Sequence, residues 1–211
     1  MNILNALHLK KYYGKEESLV KALDDVNLSV ENGQFAAIIG TSGSGKSTLL
    51  KMLGGLDIPT SGSIQVEDKN IENMSEEQLT VFRRRRIGFI FQNYNLIPYL
   101  TAYENIVLPV RLDGKTEDKD FLDQIVHFLE LEGKLQNYPS HLSGGQQQRV
   151  AIARALVSKP AIILADDLLK MTSEQFDQTI VMITHNPEIA EKADVRIRIE
   201  DGKIQAVTAN D

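Results

Sequence analysis

A glycine-rich stretch, Gly40–Thr48, has the residue types and the spacing of a phosphate-binding loop. It satisfies the pattern G-x-x-x-x-G-K-[ST] at every fixed position. Glycines let successive backbone N–H groups turn towards phosphate oxygens, and a helix that follows adds positive potential at the same place. Lys46 can then reach the β- and γ-phosphates of a nucleotide, while the Ser47 hydroxyl can ligate Mg²⁺. The predicted phosphate-binding residues are Gly40, Thr41, Ser42, Gly43, Ser44, Gly45, Lys46, Ser47 and Thr48.

The segments on either side of this loop predict the strand–loop–helix unit that such chemistry needs. Phe35–Ile39 is a short apolar run typical of a buried strand, and Ser47–Leu53 has helical character up to Gly54-Gly55. The alternative is a glycine-rich turn that contains a Lys-Ser pair by chance. Flanks of the required type favour the phosphate-binding loop.

The composition narrows the class of protein. The 211 residues, 42% of them hydrophobic, suffice for one globular domain. A net charge of −6 argues against a mainly nucleic-acid-binding role, and the absence of cysteine excludes disulfides and thiolate metal sites. Met1–Lys11 lacks the apolar core of a signal peptide, and no apolar run approaches the roughly 18 residues that span a bilayer. We therefore expect a partner to bring the chain to any membrane at which it acts.

Apolar runs along the chain predict an α/β fold with an antiparallel N-terminal part and an inserted helical subdomain. Further strands are predicted at Leu4–Leu9, Ala22–Val30, Ser63–Val66, Ile87–Phe91, Ala161–Ala165, Thr179–Ile183, Val195–Ile199 and Lys203–Ala206. The last two should form a hairpin around Asp201-Gly202. Phe121–Leu129 has helical spacing instead. We expect a single domain over 1–211, with a core at 1–92 and 159–211 and a helical subdomain at about 93–158.

Two stretches begin or end helices in a way that bears on function. Ser75–Gln78 has the capping-box pattern and predicts the start of a helix that continues to about Arg84. The arginine run Arg83–Arg86 is then interpreted as a solvated helix end; a nucleic-acid or lipid contact is the less favoured alternative. Leu142–Gln146 contains a serine and two glycines before a predicted helix at Gln147–Ser158. That helix start makes a second anion site. Two such sites are redundant for one nucleotide unless they face each other across an interface.

With these motifs in order, the chain resembles the nucleotide-binding subunit of ATP-binding cassette (ABC) transporters over nearly its whole length. The string LSGGQQQRV, Leu142–Val150, matches the signature motif of that family. The resemblance implies a P-loop NTPase core and a head-to-tail dimer with a second copy. Each ATP would lie between the phosphate loop of one subunit and the signature residues of the other. The signature residues implied to contact ATP are Ser143, Gly144, Gly145 and Gln146.

The resemblance also assigns roles outside these two motifs. Tyr13 resembles the aromatic that stacks on adenine; Tyr12 is the alternative, and an ordinary surface tyrosine is another. Gln92 ends an apolar strand as the family's Q-loop glutamine does, Asp166 corresponds to the Walker B aspartate, and His185 to the switch histidine. The implied catalytic residues are Lys46, Gln92, Asp166 and His185, and the implied Mg²⁺ ligands are Ser47, Gln92 and Asp166.

Two loop segments, Phe89–Pro98 and Tyr103–Ile106, resemble one branch of the family. That branch serves permeases of the macrolide-exporter, lipoprotein-releasing, antimicrobial-peptide-resistance and cell-division type. It implies a membrane permease as partner, a peripheral position at the cytoplasmic face and export or extraction of a peptide, lipoprotein or drug-like substrate, without nucleic acid. DNA-acting family members carry long coiled coils between the two nucleotide motifs, and the roughly one hundred residues from Lys46 to Ser143 show no sustained heptads.

The sequence departs from the family pattern directly after Asp166. The family's catalytic glutamate, proline and D-loop are replaced by Asp167–Met171, so that Asp167 stands where the glutamate is expected. Twelve residues, Asp167–Gln178, separate Asp166 from the next strand, which is the bare minimum for a crossover between parallel strands. We expect either that residues between Asp166 and Thr179 are missing from the sequence as written, or that the protein has a real deletion there. A real deletion would give a cassette that binds ATP without efficient turnover.

Overall fold

The computed structural model describes residues 1–166 and 178–210. In these ranges the strands are β1 Asn2–Tyr13, β2 Val20–Glu31, β3 Phe35–Ile39, β4 Ser61–Val66, β5 Lys69–Asn70, β6 Ile87–Ile90, β7 Ile162–Asp166, β8 Ile180–Ile183, β9 Val195–Glu200 and β10 Lys203–Ala209. The α-helices are α1 Lys46–Leu53, α2 Glu76–Arg86, α3 Ala102–Leu112, α4 Lys119–Phe128, α5 Gly144–Leu156 and α6 Pro187–Ala190. Short 3-10 turns occur at Glu16–Ser18, Ile71–Asn73, Glu132–Lys134 and Pro139–His141.

Two compact units make up the chain, and β7 has residues in both. The first unit comprises 1–79 and 164–211, and the second comprises 80–163. The predicted subdomain limits of about 93–158 stay a prediction. No described helix is long and apolar enough to cross a membrane.

The first unit contains an antiparallel sheet in the order β2-β1-β4-β5. β2 alternates between buried Val26, Leu28 and Val30 and more exposed neighbours, as a strand with one buried face requires. A second sheet runs in the order β10-β9-β3-β8-β7-β6. β3 is parallel to both β8 and β9, and Ala36–Ile38 is fully buried, as a central parallel strand should be.

The predicted hairpin between β9 and β10 is present. Asp201 and Gly202 have φ angles of 47° and 71°, the positive values that a two-residue type I′ turn needs. The Gly202 N–H donates to the carbonyl of Ser44 at 3.0 Å, and the Gly202 carbonyl accepts from the N–H of Asp24 at 2.8 Å. The turn therefore joins β2 to the phosphate loop.

The second unit is mainly helical. α5 packs against α3, α4 and β6. A Cβ at Gly88 of β6 would lie 2.9 Å from the Ala155 carbonyl oxygen, so the glycine permits a close approach of strand and helix. The described residues between 93 and 158 contain no strand, as predicted.

The arginine run at the end of α2 is more than a solvated helix end. The Arg84, Arg85 and Lys115 side chains all contact Asp113, at 2.9, 2.7 and 2.9 Å. Asp113 is only 5% exposed, and its hydrogen bonds to Lys115 and Arg85 hold the pKa of its carboxyl well below the ordinary value. Two of the four arginines thus fix the end of α2 to the end of α3, because a nearly buried carboxylate needs compensating charge.

The stretch that departs from the family pattern, including Asp167, lies outside the described residues.

Candidate nucleotide-binding site

The phosphate loop connects β3 to α1, and its glycines are required by close backbone neighbours. A Cβ at Gly40 would overlap the carbonyl oxygen of Ile199, well inside the 3.0 Å limit of real Cβ contacts. Gly45 has a φ angle of 103°, and a Cβ there would overlap the carbonyl oxygen of Ala22. The loop can adopt this shape only without side chains at these two positions.

The Lys46 side chain is folded along the loop that contains it. Its Nζ donates hydrogen bonds to the carbonyl oxygens of Gly40 at 2.9 Å and Thr41 at 2.6 Å, and the residue is 6% exposed. Burial lowers the pKa of the ammonium group from its ordinary value, while the negative charge of Asp166 acts in the opposite direction. Asp166, the last residue of β7, is therefore close enough to interact with the loop lysine.

His185 reaches the same loop through the parallel pairing of β3 with β8. Ile38 pairs with Ile183, and the Thr184 N–H donates to the Ile38 carbonyl at 3.2 Å. His185 is exposed and lines a cavity of about 250 Å³ together with Gly40. His185, two residues after the end of β8, thus lies near Gly40, the first residue of the phosphate loop, because neighbouring parallel strands end at the same edge of a sheet.

The structure distinguishes the two tyrosines at the end of β1. The Tyr13 hydroxyl donates to Oδ2 of Asp57 at 2.8 Å and lies near the side chain of Thr48, in the first turn of α1. The Tyr12 hydroxyl binds Asp24 instead. Tyr13 is 41% exposed. Tyr13, rather than Tyr12, therefore lies beside the phosphate loop with part of its ring accessible.

Gln92 belongs to the second unit, where it follows β6 and is exposed. The residues that follow Gln92 are hydrogen-bonded to α5. The Arg154 guanidinium of that helix donates to the carbonyl oxygens of Tyr94 at 2.6 Å and Asn95 at 2.7 Å. Tyr94 and Asn95 have φ angles of 58° and 46°. The segment after Gln92 thus keeps an uncommon left-handed backbone while attached to the helix that Ser143 begins.

The signature residues form the start of α5, which begins at Gly144 and not at the predicted Gln147. The physical reason is a capping box: Ser143 Oγ accepts from the Gln146 N–H at 3.3 Å, and Gln146 Oε1 accepts from the Ser143 N–H at 3.0 Å. Within the described part of the chain, a Cβ added at Gly144 or Gly145 would meet no heavy atom within 4 Å. The helix start is therefore open to a ligand or a partner.

The candidate residues thus fall into two groups. The first unit brings together the phosphate loop, Tyr13, Asp166 and His185, whereas the second carries Gln92 and the signature residues. Among residues 1–166 and 178–210, no three His, Asp or Glu side chains form a metal cluster. Oxygen donors such as the Ser47 hydroxyl and the Asp166 carboxylate still fit Mg²⁺, which keeps several waters and takes substrate phosphates as ligands.

Three residues that take part in these contacts carry no sequence signal. Asp57 and Lys11 adjoin Tyr13, and Arg154 holds the segment after Gln92. Each acts on a partner at least 44 residues away in sequence. A motif-based search could not have found them.

Comparison with known proteins identifies the family. The sequence profile described as ABC transporter matches residues 23–170. The macrolide export ATP-binding/permease protein MacB of Mannheimia succiniciproducens is 42% identical over 222 aligned positions, covering 97% of this chain and 34% of MacB. The chain thus spans about a third of the length of such MacB relatives. The lipoprotein-releasing system ATP-binding protein LolD of Bordetella pertussis is 36% identical, with 96% of this chain and 95% of LolD covered.

Solved structures agree with these relatives. The dimeric post-hydrolysis state of the ATP-binding cassette MJ0796, bound to ADP and Pi, matches with a TM-score of 0.87 and 36% identity over 98% of each chain. A second dimeric structure of MJ0796 matches with a TM-score of 0.86. The predicted fold class and family are therefore confirmed: the chain belongs to the ABC transporter family and has the fold of its ATPase cassettes.

Proposed function

We propose that the chain binds ATP with Mg²⁺ and hydrolyses it as the nucleotide-binding subunit of a transporter. The observation that supports this most strongly is the arrangement around Lys46. Its ammonium group donates a hydrogen bond to the carbonyl of Gly40 and interacts electrostatically with Asp166. His185 lines the same cavity as Gly40, the first residue of the loop. These are the groups that phosphoryl transfer needs, because its catalysis consists mainly of positioning and charge stabilisation.

Each residue then has a definite task. The loop N–H groups and Lys46 hold the β- and γ-phosphates, and the ammonium group exchanges its loop carbonyls for phosphate oxygens. Mg²⁺, when bound, neutralises charge on the phosphates; Ser47, Asp166 and Gln92 would hold it. His185 contacts the γ-phosphate from the side of β8. Tyr13 stacks on the adenine, and this assignment is favoured over Tyr12 because Tyr13 is partly exposed and lies near Thr48 of the phosphate loop.

The partner of the site is a second copy of the chain. Ser143 and Gly145 would contact the γ-phosphate of an ATP held by the other subunit, in a head-to-tail homodimer. The open start of α5 supports this role, as does the dimeric state of the matching MJ0796 structures. Backbone N–H groups at the start of a 13-residue helix favour an anionic ligand.

The remaining partner is a membrane permease, which would hold the cassette at the cytoplasmic face of the membrane. MacB is by its name an ATP-binding and permease protein, and LolD an ATP-binding protein of a lipoprotein-releasing system. Similarity to both supports export or extraction of a peptide, lipoprotein or drug-like substrate. Nucleic acid is not expected to be a partner, since the net charge is −6.

A second candidate function is a cassette that binds ATP without efficient turnover. One observation favours it: Asp167 stands where the family has its glutamate. A shorter carboxylate at this point would polarise the attacking water poorly.

The deciding experiment measures ATP affinity and ATP turnover of the full chain, alone and in membranes with its permease. ATP binding together with turnover supports the first function, and ATP binding without turnover supports the second. Lys46→Ala should abolish binding without unfolding the chain. Lys51→Ala, on the exposed side of the same helix, is the matched control. A wild-type chain that does not bind ATP, or a Lys46→Ala variant with unchanged affinity, would refute both functions.

A further inference from the structure

Tyr13 is held by a small polar cluster that no nucleotide motif contains. Asp57, in the connection between α1 and β4, accepts hydrogen bonds from the Tyr13 hydroxyl at 2.8 Å and from Lys11 Nζ at 2.7 Å. It also accepts the N–H of Ile58 at 2.8 Å, and the Ile58 carbonyl accepts a second bond from Lys11 at 2.8 Å. The Asp57 carboxylate therefore has fixed partners on both oxygens.

The charge on Asp57 is well compensated. Partial burial acts to raise the pKa of its carboxyl, but the hydrogen bonds from Lys11, Tyr13 and Ile58 outweigh that effect, and the pKa is lowered. The Lys11 side chain is 13% exposed and that of Asp57 is 31% exposed, so the pair is partly shielded from solvent. A carboxylate that stays ionised and has several partners is a stable anchor for a hydroxyl group.

The same cluster determines which face of the Tyr13 ring a base can use. Lys11 Nζ lies 4.9 Å from the centroid of the ring, within the range of a cation–π contact. One face of the ring is thus taken by the ammonium group, and a base would stack on the other. At the ring edge, the hydroxyl is held by its hydrogen bond to Asp57.

We propose that Asp57, supported by Lys11, is a positioning residue that orients Tyr13 for stacking on the base of the nucleotide. Asp57 itself touches neither base nor phosphate. The inference rests on the proposed ATP-binding function. Stacking of a base on an aromatic side chain is worth about 1–3 kcal/mol, or roughly 5- to 150-fold in affinity, only when the ring is held in place. Asp57 should therefore influence the base part of nucleotide recognition and not the triphosphate part.

The neighbouring tyrosine provides a matched control. Tyr12 has its own aspartate, Asp24, and its own lysine, Lys21, 5.3 Å from the ring centroid. This second tyrosine–aspartate pair has the same chemistry, but Asp24 contacts Tyr12 instead of Tyr13. Asp24→Ala and Asp57→Ala therefore remove equivalent groups, and only the second should alter base recognition.

The test titrates the full chain with Mg-ATP and with Mg-tripolyphosphate, which has no base, by calorimetry. Asp57→Ala and Asp57→Asn should weaken ATP binding about three- to tenfold, as part of the stacking contribution is lost, and leave tripolyphosphate binding within twofold. Tyr13→Phe, which keeps the Asp57–Lys11 pair, covers the case in which the Asp57 variants do not fold. It should weaken ATP binding two- to fivefold, while Asp24→Ala should change neither ligand.

The outcomes separate the two proposals. Loss of both ligands in Asp57→Ala, or an equal effect of Asp24→Ala, would overturn the positioning role. The positioning role would also be overturned if Tyr13→Ala weakened ATP binding while Asp57→Ala and Tyr13→Phe left it unchanged. In that case the base would stack on Tyr13 without help from Asp57. ATP affinity that does not depend on Lys46 would instead contradict the proposed function itself.

Discussion

The contact between Arg154 and the segment after Gln92 should be a major source of stability in the second unit. Replacing Arg154 by alanine removes two hydrogen bonds from a charged donor, of 2.6 and 2.7 Å, to the carbonyl oxygens of Tyr94 and Asn95. Hydrogen bonds to charged groups contribute about 1.5–3 kcal/mol each. Release of the left-handed backbone at Tyr94 and Asn95 offsets part of the loss, at about 1 kcal/mol each. A net destabilisation of about 3 kcal/mol follows.

This loss can be compared with that of a second arginine on the same helix. Arg149 makes an ion pair with Glu130 at 2.5 Å, but Glu130 is 73% exposed. Its guanidinium also donates to the Leu129 carbonyl, at a longer distance of 3.3 Å. Exposed pairs contribute about 0.2–1 kcal/mol and long hydrogen bonds are weak, so Arg149→Ala should cost at most about 1 kcal/mol. At about 2–4 °C per kcal/mol for a chain of this size, Arg154→Ala should lower the Tm by about 6–12 °C and Arg149→Ala by at most 4 °C.

Urea unfolding and native-state hydrogen exchange would test the argument together. In Arg154→Ala, the amides from residue 93 to residue 100 should exchange faster than those of α3, because the segment loses its attachment to α5. Equal stability of the two variants, or unchanged exchange in this segment, would refute the reasoning.

Three further predictions concern other parts of the chain. Ser143→Arg should leave ATP affinity of the monomer within twofold but prevent formation of the ATP-dependent dimer, as measured by light scattering; a dimer that still forms would contradict the head-to-tail arrangement. Gly40→Ala should lower the free energy of unfolding by about 1–3 kcal/mol and weaken ATP binding at least tenfold, because its Cβ would overlap the Ile199 carbonyl. An unchanged ATP affinity in calorimetry would show that the loop can move to accommodate the side chain. Glu117, bound by Arg111 and Tyr103, has a pKa lowered to about 2 by hydrogen bonds first from Arg111 and then from Tyr103. Its stabilising effect is complete above the ordinary value of 4.5 and disappears as the pH falls towards 2, so Glu117→Gln should lower the Tm by about 2–8 °C at pH 7 and much less near pH 2.

The sequence predicted those parts of the molecule whose signals are local. The phosphate loop, the runs of β3 and β8 and the turn at Asp201-Gly202 each depend on neighbouring residues, and they appear as expected. The start of α5 was missed by three residues, since two glycines argue against a helix. The serine at 143 and the glutamine three residues later form a capping box that could have corrected this.

Contacts between distant segments could not be predicted in the same way. Asp57 lies before Ile58-Pro59 in a segment with ordinary turn composition, and its partner Tyr13 is 44 residues away. Arg154 is one of two arginines on α5, and nothing in its local sequence distinguishes its contacts with the Tyr94 and Asn95 carbonyls from the ion pair of Arg149 with Glu130. Such residues become visible only when the fold has placed their partners.

The turn at Gly202 has a consequence for the order in which the chain acquires its activity during synthesis. The phosphate loop is encoded early, yet part of the backbone that surrounds it comes from Ile199 and from Gly202, whose N–H binds the Ser44 carbonyl. A nascent chain that has reached only α5 contains every residue of the loop and the Ala22 carbonyl beside it, but not the part of its surroundings that β9 and β10 supply. Because domains acquire stable structure only when their distant contacts are available, a ribosome-bound intermediate should not retain nucleotide until β9 and β10 have emerged.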